Sequence, residues 1–440
     1  RLCRLCTPPG FVRRPARPRD TAEDGTELAL SQLAPCRGWH LKRTPRKGFL
    51  FADCGLGYPG RMDIGFTEEQ ELLRETARRL LENQCETQFV RQLMAEPAAV
   101  TDEFWRKLAE QGWLGIVYPE DDGGSGLGLV DLVVLMEEMG RAVMPGPFLS
   151  TVLLGGGVIA EAGTPAQRRR WLPEIAAGNA KAALAWTEPN LRWDAAGIMS
   201  RAREAGGGYT LSGTKLFVGD AHLADIIAVA ARTRDGSTME DGVSLFLVPK
   251  DTPGLTISVL PTIDETRKLC EVRFDNVALP AGALLGEIHQ GWAPLSRVIG
   301  RATVALAAEM CGGAQQVLDM TVAYAKMRVA FGKPIGSYQG VKHQAADMLV
   351  ALENAKSLTY YAAWAVDQGL DEAPLAVSMA KAAASDMYRK VAGTGIQLHG
   401  GIGMTWEHDL QLYFKRAKAS EVAFGDATWH RERIAQLMRL

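Results

Sequence analysis

The sequence predicts an α+β protein in three parts: a helical N-terminal domain over residues 62–180, a middle β domain over 181–285 and a helical bundle over 286–440. Three observations predict it. Apolar residues recur at helical spacing on both sides of a central stretch; that stretch instead holds short runs of β-branched residues broken by turns; and the first 61 residues follow neither pattern while holding 7 of the 21 prolines and 4 of the 7 cysteines.

Residues 1–61 carry 12 Lys and Arg against 5 Asp and Glu, a net of +7, whereas the 379 residues from Met62 carry 37 against 46, a net of −9. The formal charge of −2 thus averages two unlike segments. Prolines block helix propagation and the apolar residues are too scattered to offset ordering entropy, so the leader is expected to lack a fold. No apolar run follows its basic start, as a secretory signal requires, and Asp20, Glu23, Asp24 and Glu27 argue against a transit peptide. Met62-Asp63-Ile64-Gly65-Phe66-Thr67 reads as a fresh start, with residues 1–61 as upstream translation. Cys3-x-x-Cys6 lacks a second ligand pair, so no metal is expected there. Gly55-x-Gly57-x-x-Gly60 has no strand before it and contains Pro59, so it is a chance dinucleotide match.

In the N-terminal domain Thr67 is an N-cap with Gln70 as its capping-box partner, and Leu72, Leu73, Ala77, Leu80 and Leu81 follow on one face. Phe104, Trp105 and Leu108 repeat the pattern, a glycine-rich loop spans 119–128, and further helices run through Leu132, Val133, Met136 and Met139 and after Pro147. Strands are expected over 209–218, 225–231, 243–248, 255–259 and 270–274, with turns at Asp235-Gly236, Asp241-Gly242 and Pro253-Gly254. Three long helices are expected over about 294–328, 339–368 and 374–393. Cys85, Cys270 and Cys311 are widely spaced, which suits a reducing cytoplasmic compartment. No apolar run reaches the ~20 residues that span a bilayer, and the acidic body has no basic stripe for nucleic acid.

Four spaced motifs resemble the acyl-CoA dehydrogenase family over essentially all of 62–440: Thr187-Glu188-Pro189; Gly213-x-Lys215-x-Phe217; Arg328-x-x-Phe331-Gly332-Lys333-Pro334-Ile335 with Gln339; and Gln397-Leu398-His399-Gly400-Gly401-Ile402-Gly403. The C-terminal segment is closest to small subunits of heteromeric members, such as those of pimeloyl-CoA dehydrogenase or of enzymes acting on sterol side-chain thioesters. The resemblance implies a middle β-barrel or sandwich, a C-terminal four-helix bundle, bound FAD, and dehydrogenation of an acyl-CoA thioester to the 2-enoyl-CoA with electrons passed to an electron-transfer flavoprotein. A weakly acidic α-proton needs a positioned carboxylate to remove it while hydride leaves Cβ. By resemblance Trp186, Thr187 and Phe217 contact the flavin, Arg328 the pyrophosphate, and Phe331, Gln339, Gln397, Gly400 and Gly401 the adenosine half of a neighbouring subunit's FAD. That implies a homo-oligomer or a heterotetramer with a related subunit. His399 is expected to fix a loop.

Departures from the family pattern are specific. Asn190-Leu191-Arg192-Trp193-Asp194 replaces a glycine-rich continuation, and Gly219 replaces a threonine that reaches the flavin. Phe424, before Gly425, stands where the family glutamate base is expected. The alternative base segment, Gly300-Arg301-Ala302-Thr303, holds no acid, and Glu309 lies about 10 Å further along. Asp426 is the nearest candidate base; otherwise the chain lacks its own and completes a partner's site. A flavin oxidase or monooxygenase on the same fold is the runner-up, separable by the oxygen reactivity of the reduced flavin.

Overall fold

A computed structural model describes residues 65–234 and 240–440. The expectations for the 61-residue leader and its motifs, for Met62 and for the Asp235-Gly236 turn fall outside the described residues. Helix α1 (Glu68–Gln84) begins with the reciprocal cap read from its sequence: Thr67 Oγ1 accepts from Gln70 N at 3.2 Å, and Gln70 Oε1 accepts from Thr67 N at 3.0 Å. It is followed by α2 (Thr87–Ala95), α3 (Asp102–Glu110), α4 (Leu129–Arg141), α5 (Gly156–Ala162) and α6 (Pro165–Ala176). Residues Leu132 to Gly140 of α4 are all buried, so this helix runs through the core rather than over it. The glycine-rich loop before it folds so tightly that a Cβ at Gly124 would lie 2.2 Å from the Tyr118 carbonyl. A π-helical turn, Leu149–Gly155, leads into α5.

The middle of the chain forms one eight-stranded sheet: β1 (Ala182–Ala185), β2 (Arg201–Ala205), β3 (Gly208–Gly219), β4 (Ile226–Arg232), β5 (Val243–Pro249), β6 (Leu255–Leu260), β7 (Leu269–Pro280) and β8 (Leu284–Leu285). Its order is β6-β7-β3-β2-β4-β5-β8, with β1 paired parallel to β4. Side chains of a strand alternate between faces, and β4 uses both. Ile227, Val229 and Ala231 join Phe246, Val272, Phe274 and Leu279 in a core internal to the β domain. Ile226, Ala228 and Ala230 enter the larger core shared with the helices. This two-sided burial explains a strand with no polar alternation, and it mounts the β domain on the helical body.

The C-terminal part comprises α7 (Trp292–Met327), a hairpin of β9 (Val329–Ala330) and β10 (Lys333–Pro334), then α8 (Gln339–Asp367), α9 (Ala373–His399), α10 (Leu410–Val422) and α11 (Ala427–Leu437). Helices α7, α8, α9 and α10 pack together, and α4 lies against α7. Helix α9 runs six residues beyond the expected end at Gly393. Gly393 thus sits inside the helix, and within the extension Gly395 marks a close helix contact, since a Cβ there would sit 2.6 Å from Val317 Cγ1 of α7. Cys85, Cys270 and Cys311 are free and buried, and burial pushes their thiols up to about 12, 11 and 12. No helix among the described residues is long and apolar enough to cross a membrane.

Candidate functional site

Two of the sequence motifs form a single structure at the end of β1. Glu188 is buried and its Oε1 receives Lys215 Nζ at 2.6 Å and the backbone N–H groups of Met199 and Ser200 at 2.9 Å each. Lys215, fully buried, also reaches the Trp186 carbonyl at 3.4 Å, and Leu216 N donates to the Thr187 carbonyl at 2.9 Å. Burial pulls the Lys215 ammonium below its ordinary range, and the Glu188 carboxylate opposes that pull. The ion pair locks the two strand segments in register and sets the backbone of the residues flanking it.

Phe217 is the product of this lock. The β3–β7 register shifts between Lys215 and Val218, and within the bulge Phe217 takes φ = +55° with 44% of the residue exposed. An exposed aromatic in a left-handed backbone is a strained arrangement that packing alone does not reward. Trp186 and Thr187 beside it are buried, and the Trp186 ring lies 5.4 Å from Trp193 at 57°. Ser150, in the π-helical turn, explains Gly219: a Cβ at 219 would come within 3.2 Å of Ser150 Cβ. Ser150 Oγ donates to Asp220 Oδ2 at 2.6 Å, and burial raises the Asp220 carboxyl above its usual range.

A second set of motif residues gathers on the surface where α7 and α9 end. Tyr324, one turn before Arg328, stacks on His399 with ring centroids 4.4 Å apart, which brings the two motifs together. His399 is buried with Nδ1 bonded to Gly395 O at 2.8 Å and its other face against His408, so it supports the loop after α9. Phe331 and Gly332 form the two-residue β9–β10 turn with φ of +52° and +81°, the left-handed pair that hairpins favour. This leaves Phe331 97% exposed. Arg328, Gln339, Gln397, Gly400 and Gly401 are exposed with it, and nothing lies within 4 Å of a Cβ built on Gly400 or Gly401. Among the described residues the Arg328 guanidinium has no carboxylate partner.

The expected base position has a different character. Phe424 is half-buried against the helical core with φ = +59° and Gly425 follows at φ = +99°. Asp426 is exposed and caps α11, its Oδ1 accepting from Trp429 N at 2.7 Å. On α7 Ala302 and Thr303 are buried, with the Thr303 hydroxyl bonded to Ile299 O. Glu309 is held between Arg267 and Arg416, and Arg416 also bonds Asp264 Oδ2 at 2.6 Å. Arg192 and Asp194, in the atypical loop, pair with each other at 2.6 Å.

Three features went unread in the sequence: the π-helical turn, Lys381 and His430. Lys381 is a lone cation inside Ala380-Lys381-Ala382-Ala383-Ala384 on a buried helix face, and that isolation is the signal that could have found it. Its ammonium bonds Ser385 Oγ, Glu421 O and Gly425 O at 2.9, 3.0 and 2.9 Å.

Comparison with known proteins agrees with this arrangement. Three family models match in order: acyl-CoA dehydrogenase N-terminal domain over residues 67–179, middle domain over 183–277 and C-terminal domain over 289–438. The acyl-CoA dehydrogenase IpdE2 of Mycolicibacterium smegmatis is 34% identical over 361 residues, spanning 82% of this chain and 95% of that protein. A solved structure of PigA with FAD and proline superposes with a TM-score of 0.81 at 27% identity, over 86% of this chain and 100% of that one. The ChsE4–ChsE5 complex of Mycobacterium tuberculosis contains a chain with a TM-score of 0.78 at 28% identity, over 86% of this chain and 99% of its own. Helical, β and helical segments, the locked strand end and the exposed motif cluster all fall inside the matched regions, and the chain belongs to the acyl-CoA dehydrogenase family, whose members are FAD-dependent oxidoreductases.

Proposed function

We propose that the chain serves the α,β-dehydrogenation of an acyl-CoA thioester to the 2-enoyl-CoA as the base-deficient subunit of a heteromeric enzyme, with electrons leaving to an electron-transfer flavoprotein. The observation that carries the base-deficient reading is the pair Phe424 and Asp426: an aromatic stands at the family's carboxylate position, and the nearest acid is spent on the cap of α11. The residues present fit a flavin dinucleotide. Phe217 offers an exposed ring held at a strained φ, Trp186 and Thr187 a buried strand end beside it, Arg328 a guanidinium suited to two phosphate oxygens, and Gly400 and Gly401 an open backbone approach.

Bound FAD supplies the acceptor for the hydride that leaves Cβ. The chain's own residues bind and orient: the Glu188–Lys215 pair fixes the strand end, and the exposed set of Arg328, Phe331, Gln339, Gln397, Gly400 and Gly401 faces outward, as residues serving a neighbouring subunit's cofactor must. Trp193 and Arg192, in place of a glycine-rich loop, change the mouth of the acyl slot, with Trp193 packed on Trp186 and Arg192 paired with Asp194. ChsE4–ChsE5 is itself a complex of two chains, which supports a related subunit as partner.

The test is an anaerobic titration with a panel of acyl-CoAs, watching the oxidised flavin band, on the chain alone and co-expressed with related subunits. Bleaching only in the co-expressed pair supports the proposal; rapid bleaching of the chain alone refutes the base-deficient reading. Full turnover by an Asp426→Asn variant would remove Asp426 as base.

A further inference from the structure

We propose that Lys381 and His430 are positioning residues that clamp the Phe424–Gly425 turn, so that the scaffold for presenting a side chain at 424 is intact although the carboxylate is not. The inference rests on the functional reading only in taking position 424 to face the reacting thioester.

Helix α10 ends at Val422 and α11 begins after its cap at Asp426, so four residues make the connection. Two of them, Phe424 and Gly425, have positive φ. For a bulky aromatic the left-handed region is unfavourable, and such strain persists only where the surroundings over-determine it. Here they do. Lys381, on α9, spends all three ammonium protons: one on Ser385 Oγ of its own helix, one on Glu421 O and one on Gly425 O. His430, on α11, has Nε2 at 3.1 Å from Phe424 O. A carbonyl only accepts, so Nε2 carries the proton and Nδ1, buried without a partner, does not. The carbonyls of both left-handed residues are thus gripped from two different helices. Trp429 closes the remaining side, since a Cβ on Gly425 would come within 2.7 Å of Trp429 Cε3.

The clamp is costly in a way that packing does not explain. A methionine would fill the Lys381 site without an ammonium to desolvate. Burial brings the Lys381 ammonium down to about 8, although the Asp426 and Glu421 carboxylates facing it pull the other way. Burial, aided by Lys381, brings His430 down to about 3, so the imidazole is neutral and its donor to Phe424 O is permanent. A buried charge at this position holds three acceptors that an apolar residue would release.

The experiment is amide hydrogen exchange by mass spectrometry on the full chain, comparing Lys381→Met, His430→Leu and His430→Gln with the wild type. The expected result is at least a tenfold faster exchange over residues 423–427 in Lys381→Met and His430→Leu, unchanged exchange in the β domain and α7, and recovery in His430→Gln, whose amide can donate to the same carbonyl. A second readout is the flavin bleaching rate in a Phe424→Glu background, which Lys381→Met should lower at least tenfold at saturating acyl-CoA. Unchanged exchange over 423–427, or an equal rise across the whole chain, overturns the clamp. If Lys381→Met does not fold, the contrast between His430→Leu and His430→Gln decides alone. A chain that binds no flavin refutes the functional reading, and the exchange result still decides the clamp.

Discussion

Replacing Lys215 by methionine removes the cation from the most enclosed ion pair in the β domain. Lys215 is fully buried, Glu188 is 4% exposed, and their charged atoms are 2.6 Å apart. Breaking a buried pair by removing one partner costs about 3–5 kcal/mol because the other charge stays buried. Glu188 keeps two backbone donors, Met199 N and Ser200 N, so the cost falls at the lower end, about 3 kcal/mol, or roughly a hundredfold in the folded-to-unfolded ratio. The same change releases the Trp186 carbonyl and the backbone leading to Phe217, so bound FAD should be lost at lower denaturant than global unfolding. The assay is urea denaturation followed by far-UV circular dichroism and, in parallel, by flavin fluorescence. Stability within about 1 kcal/mol of the wild type, with flavin release coincident with unfolding, would refute the account of the lock.

Three further outcomes are expected. Asp426→Ala should lose about 1 kcal/mol of stability through the lost α11 cap, whereas Asp426→Asn, an equal capper, should lose almost none in thermal melts. Phe424→Glu should give the isolated chain acyl-CoA-dependent flavin bleaching, faster than its wild-type rate by roughly the 10²–10⁴ that a general base supplies; no gain in rate would place the acyl slot elsewhere. Lys381 sets a pH dependence whose sign follows from its lowered pKa. Between about 8 and the ordinary 10.5 the unfolded chain holds a proton that the folded chain has released, so folding is favoured as pH rises through that window. The stability of wild type relative to Lys381→Met should therefore improve on going from pH 7.5 to pH 10, and a constant difference in denaturant midpoint would contradict the burial of a titrating ammonium.

The fold was legible where side-chain pattern and backbone preference agree. Thr67 and Gln70 announced the start of α1, and the β-branched runs announced β3 to β7. Strand β1, Ala182–Ala185, was not legible, because four small residues carry no strand signature and their pairing with β4 is decided by burial on both faces. Strand β2, Arg201–Ala205, was not among the expected strands, because Arg, Ala and Glu carry no β-branched signal, and it pairs where β3 returns beside it. Motif residues of the site could be named from resemblance, but their division into a buried strand end and an exposed cluster depends on the Tyr324–His399 stack and the Glu188–Lys215 pair, which join segments far apart in sequence. The clamp on Phe424 was hidden for the same reason: Lys381 lies 44 residues before the carbonyl it holds.

What the sequence posed as one missing carboxylate becomes, in the structure, a statement about all the buried acids. A base must have an oxygen free to take the proton. Among the described residues Glu188 is tied to Lys215, Glu137 to Lys356 and Tyr360, Glu138 to Arg78, Asp264 to Arg416, and Glu309 to Arg267 and Arg416, while Asp122 lies 3.6 Å from Arg168. Each of these acids is occupied by a cation, and using one as proton acceptor at every turnover would leave that buried cation without its partner. Among the described residues Asp220 is the one buried acid without an ion pair, three residues beyond Phe217, with Oδ2 taken by Ser150 and Oδ1 unpartnered. Its raised pKa suits a proton carrier in principle, but its contacts lead to Ser150 and Lys268 rather than to the Phe424 turn. If the abstracting carboxylate belongs to a partner chain, Asp220→Asn and Asp426→Asn should both leave turnover of the co-expressed pair within about threefold, since neither touches the base. A loss of roughly 10²-fold or more in either variant, with flavin content and melting temperature preserved, would return the base to this chain and identify which acid it is.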